Sequence, residues 1–71
     1  MDEFMALYSQ LSGSRPLYMS LEHIKTAIPR WRLQVFEKDT AKTAGDMLLL
    51  CVEKPTQEEC LRKGVEILKT I

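Results

Sequence analysis

The chain has 71 residues, with 10 Lys+Arg against 10 Asp+Glu, and is 45% apolar and 28% charged. That is too apolar and too nearly neutral for a disordered chain, and the length fits one small domain, residues 1–71. The longest apolar run, Met47–Val52, is far shorter than the roughly 20 residues that cross a bilayer, and the acidic start Met1-Asp2-Glu3 is unlike a secretory leader. Two cysteines, Cys51 and Cys60, cannot staple a secreted scaffold. They read as reduced, half-buried thiols in an intracellular, cytoplasmic protein, with the nucleus left open.

The N-terminal segment predicts a helix capped by Asp2, with Phe4, Leu7, Tyr8 and Leu11 on one stripe and Ser12-Gly13 as its end. A short second helix is expected from Ser20 to about Ala27. Met19 and Ile24 stand at hydrophobic-staple spacing, Leu21, Ile24 and Ile28 share a face, and Pro29 stops it. Trp31, Leu33 and Val35 then alternate with Arg32, Gln34 and Lys38, the pattern of a strand over 31–38. A polar loop, Asp39–Asp46, leads to Met47–Val52, in which every residue is apolar. Periodicity alone cannot separate strand from buried helix there, but the short length, Gly45 before it and Pro55 after it favour a strand. Thr56 and Glu59 form a capping box ahead of Cys60, Leu61, Gly64, Val65, Ile67, Leu68 and Ile71, predicting a helix over 57–70. Gly64 in mid-helix implies the close approach of another backbone. The expected fold is α+β in the order helix, helix, strand, strand, helix: a two-stranded antiparallel hairpin packed on three helices.

No pattern of catalytic or ligand-binding residues rises above this scaffold. His23 is the single histidine and reads as a surface or capping residue. Three Cys and His in all, without a CxxC, do not make a zinc site, and the isolated glycines form no phosphate loop. No catalytic residue, cofactor, metal or small-molecule substrate is therefore expected. Between residues 15 and 42 six positive charges face Glu22, Glu37 and Asp39, a local balance of +3, so Arg30, Arg32, Lys38 and Lys42 are candidate nucleic-acid contacts. The run Met47–Val52 is apolar on both sides. Leu48, Leu50 and Val52 point one way, joined by Phe36, and are expected to leave an uncovered partner-binding face.

The stretch Val52–Glu59, followed by an amphipathic helix, resembles the C-terminal strand–Pro–helix tail of pyridoxal-phosphate aminotransferases, although 71 residues leave no room for that family's cofactor domain. A helix followed by a hairpin also resembles part of a winged-helix DNA-binding domain, but the connection Gly13–Met19 is longer than the tight turn of that motif. Neither resemblance transfers a residue role. The functional expectation is a small protein-interaction module, an adaptor, regulatory or inhibitory subunit. It docks a protein partner or a second copy through an apolar sheet face or hairpin edge. The alternative is a nucleic-acid-binding regulator that uses the basic stretch.

Overall fold

A computed structural model describes residues 2–71 and arranges them as α1 (Asp2–Ser12), β1 (Leu17–Ile24), β2 (Arg30–Glu37), β3 (Met47–Lys54) and α2 (Gln57–Leu68). The chain is α+β, with two helices and a three-stranded antiparallel sheet in the order β1-β2-β3. The short helix expected from Ser20 is strand β1 instead. Met19 lies opposite Val35 and Leu21 opposite Leu33, so these apolar side chains serve as alternating strand positions. An eight-residue helix is marginal on its own. The same eight residues paired along β2 give the hairpin the third strand that a stable sheet needs. Ile28, assigned to the helical face, is 76% exposed in the β1–β2 turn.

The other expected elements are present, within a residue or two at their ends. The stripe of α1 is inward: Phe4 is buried, and Leu7, Tyr8 and Leu11 pack on the core. The cap assigned to Asp2 concerns a side chain outside the described residues. At α2 the capping box forms in altered shape. Thr56 Oγ1 accepts from the Glu59 amide at 3.2 Å, and the Glu59 carboxylate accepts from the Thr56 hydroxyl rather than from its amide.

Both helices lie on one side of the sheet. Leu33 and Val35 of β2 and Leu50 and Val52 of β3 meet Phe4 of α1 and Cys60, Leu61, Val65 and Leu68 of α2. Burial of each large side chain in that layer contributes about 1.5–3 kcal/mol. The result is flat, about 40 × 25 × 15 Å across its Cα atoms. Its radius of gyration is 12.8 Å, against about 11 Å for a compact chain of this length. Among the described residues none forms a layer over the opposite face of the sheet.

Gly64 sets the spacing of that core. A methyl group there would stand 2.7 Å from Leu33 Cδ2 and 2.9 Å from Phe4 Cε2. The close neighbours are thus side chains of the central strand and of α1, not the backbone that the sequence implied. Both are fully buried and have nowhere to move. Overpacking costs about 1–3 kcal/mol and the better helix propensity of alanine returns about 1. Gly64→Ala is therefore expected to lower stability by up to about 2 kcal/mol net in urea unfolding, and a gain in stability would show that the helix can lift off Leu33.

The two thiols differ. Cys60, at 0% exposure, rests its Sγ 3.1 Å from the Trp31 carbonyl and 3.7 Å from that of Val52, and burial pushes its pKa up. Cys51 is exposed on the open face. A thiol reagent is expected to label Cys51 at once in the native protein and Cys60 only in denaturant, as mass spectrometry of the two peptides will show.

Candidate functional site

Alternation along β2 decides what the open face displays. Leu33 and Val35 point into the core, so Arg30, Arg32, Gln34 and Phe36 point away from the helices. Their partners on β1 are Ile24, Glu22, Ser20 and Tyr18. On β3 Glu53 lies opposite Arg32, Cys51 opposite Gln34 and Leu48 opposite Phe36. The face therefore has an apolar corner, a small polar centre and a charged end.

A β-bulge makes the corner. Val35 pairs with Leu50 but Phe36 pairs with Leu48, so Leu49 is the extra residue and the phase of β3 changes there. Leu50 and Val52, expected on the partner-binding side, are instead in the core at 4% and 6% exposure. Leu48 is carried to the open side and is 49% exposed. The Phe36 ring stacks on that of Tyr18, with centroids 5.0 Å apart and planes within 15°. Met47, 60% exposed, pairs with Glu37 and alternates to the other side of the sheet. Of the four expected partner-binding residues, the structure thus brings Phe36 and Leu48 together and withdraws Leu50 and Val52.

The loop 39–46 frames this corner. One carboxylate oxygen of Asp39 accepts from the amides of Thr43, Ala44 and Gly45 at 2.8–2.9 Å, and the other from that of Ala41 at 3.1 Å. Gly45, at φ 86°, and Lys42, at φ 55°, take the left-handed backbone that so tight a wrap requires. The Asp39 amide donates in turn to Asp46 Oδ1 at 2.8 Å, and Tyr18 Oη donates to Asp46 Oδ2 at 2.6 Å. The chain of bonds runs from loop backbone to Tyr18, so the stacked aromatic pair is held at the tyrosine hydroxyl. The amides of Ala44 and Gly45 do most to hold the Asp39 carboxyl below its usual range, and the Tyr18 hydroxyl does most to lower that of Asp46. Tyr18, Asp39 and Asp46 were not singled out from the sequence. The spacing Asp39–Gly45-Asp46 in a polar loop was the available signal.

At the charged end Arg30 and Arg32 each place Nε 2.8 Å from one oxygen of Glu53. Arg32, then Arg30, hold the Glu53 carboxyl below its usual range. Arg15 makes a bidentate pair with Glu37 at 2.8 and 3.0 Å, between the start of β1 and the end of β2. Three of the six cations of the basic stretch are therefore engaged by carboxylates. Arg30 and Arg32 stand together, whereas Lys38 and Lys42 lie beyond the other end of β2, a strand's length of roughly 25 Å away. The four residues do not form one patch.

His23 stacks on Trp31 with centroids 4.6 Å apart. Among the described residues no three Cys, His, Asp or Glu side chains converge as metal ligands, and no helix is long and apolar enough to cross a membrane. Comparison with protein-family models, with curated proteins and with solved structures finds no match.

The Asp39 cage gives a pH test. Its folded pKa lies below the ordinary 3.8, so its contribution to stability is complete above that value and is lost as pH falls through the depressed folded value. Asp39→Asn is expected to lower the urea midpoint at neutral pH, and the gap from wild type should narrow below about pH 4. A gap that stays constant down to about pH 2 would mean that the carboxylate charge is irrelevant to the loop.

Proposed function

We propose that the chain is a small protein-protein interaction module, an adaptor, regulatory or inhibitory subunit, that docks its partner on the open sheet face at the corner of Tyr18, Phe36 and Leu48. The observation that carries this reading is the exposure of Leu48 beside a stacked aromatic pair, on a face with no layer over it and a rigid loop at its rim. Aromatic side chains already held in place lose little freedom on binding, and a patch of this kind is what interface anchors are made of. The reading is favoured over a nucleic-acid contact because Arg30 and Arg32 already share Glu53, so a phosphate would have to displace a carboxylate that sits 2.8 Å from each.

Leu48→Glu places a charge where half the side chain is already in water, so the fold should persist, with stability within about 0.5 kcal/mol of wild type. Immobilised wild-type chain is expected to retain a protein from host-cell extract that the Leu48→Glu chain does not, and to retain it in high salt. Retention by both chains, or retention of nucleic acid that disappears steeply with salt, overturns the proposal.

A further inference from the structure

The outer edge of β3 offers a second surface, distinct from the open face. β3 is a terminal strand of the sheet, so one row of its backbone N–H and C=O groups is unpaired. The bulge at Leu49 disturbs only its start, and from Leu50 to Lys54 it is regular, with no proline. Above this edge runs α2, which packs on both β3 and β2. The side of α2 toward α1 carries Glu58, Leu61 and Val65, around a groove shared with Phe4. The side away from α1 carries Glu59, Lys63 and Glu66, around a groove shared with Lys54 at the end of β3.

We infer that a second copy of this chain occupies that edge, pairing β3 with β3 antiparallel about a two-fold axis at Cys51. Three features of the structure select this occupant. The first is register. Residues directly opposite in an antiparallel pair point to the same face, so an axis at Cys51 sets Leu50 against the second copy's Val52, both on the helix side, and Cys51 against its own equivalent on the open side. The second is layer geometry. Strands are spaced about 4.8 Å apart and α2 sits over β3 and β2, so the two α2 axes fall about 10 Å from each other, the ordinary distance of packed helices. A single extended peptide would fill the edge but leave the flank of α2 without a neighbour.

The third is charge. Cys60 Sγ contacts the carbonyls of Val52 and Trp31, and Trp31 lies opposite Lys54, so the first turn of α2 stands over the end of β3. From there the helix runs back along the strand. Two residues of strand, about 7 Å, correspond to four or five residues of helix, which brings the axis near Gly64. Lys63 and Glu66 then lie on either side of it, and Lys63 of each copy faces Glu66 of the other. Within one chain these two make only a loose contact of 3.8 Å and are 49% and 65% exposed, so both remain available. A stripe of alternating sign across a two-fold axis is complementary to itself.

Sedimentation equilibrium of the full chain in reducing, low-salt buffer tests this. Wild type is expected to dimerise. Lys63→Glu should weaken the dimer by about tenfold or more, because the axis counts each repulsion twice, and Lys63→Glu with Glu66→Lys should restore it to within about threefold. Copper–phenanthroline oxidation should join the two Cys51 thiols of the dimer, and Cys51→Ser should abolish that link. A chain that stays monomeric to about 1 mM, a dimer indifferent to the charge swap, or a dimer in which Cys51 does not cross-link overturns the inference. Tyr18→Ala, on β1 at the far side of the sheet, should remove partner capture and leave dimerisation unchanged, so loss of partner capture and loss of the dimer are separate results.

Discussion

The contact among Gly64, Leu33 and Phe4 is the constraint from which the rest of the arrangement follows. Leu33 is the centre of the central strand and Phe4 the inward anchor of α1. α2 reaches both because position 64 has no side chain to hold it away. Seating one helix on β2 and against the other helix at the same point places both on one side of the sheet. Among the described residues no other element lies on the opposite side. The open face is thus a consequence of how the core closes.

Polar groups keep that open face ordered in water. Glu53 ties β3 to β2 through two arginines at one end. At the other end Asp46 ties β1 to the β2–β3 loop through Tyr18, and the loop is itself wound around Asp39. Exposed ion pairs of this kind add little stability. Their effect here is geometric: each joins elements far apart in sequence, and between them the Tyr18–Phe36 stack is presented in one orientation. That supports recognition by a preformed surface rather than by a segment that folds on contact.

The parts of the fold legible in the sequence were those with a strong period. α1 and α2 follow from their apolar stripes and from Thr56, and β2 from the alternation of Trp31, Leu33 and Val35. β1 is hidden because Met19, Leu21, Ile24 and Ile28 fit helical spacing while only Met19 and Leu21 share a strand face, and pairing with β2, a long-range contact, is what decides for the strand. The basic stretch was legible as composition, but not as geometry. Glu53, which engages Arg30 and Arg32, lies 21 residues or more further along the chain. The Asp39 loop has no period to read, since its order comes from one carboxylate meeting four amides.

The partner-binding face was misjudged for a different reason, and the correction narrows what can dock there. A strand apolar at every position gives no phase, so the sequence left Leu48, Leu50 and Val52 on one side. The bulge at Leu49 divides them, and beyond it β3 alternates plainly: Leu50 in, Cys51 out, Val52 in, Glu53 out. The apolar surplus on the open face is then a corner rather than a whole face. One corner is small beside the roughly 800 Å² that each partner of a lasting complex usually contributes. A two-fold pairing along β3 would set two such corners on one continuous six-stranded sheet. A partner with two matching sites would then bind the second without a second loss of translational freedom. The edge of β3 and the corner at Leu48 are separate parts of the sheet, so pairing at the edge would leave both corners open to a partner.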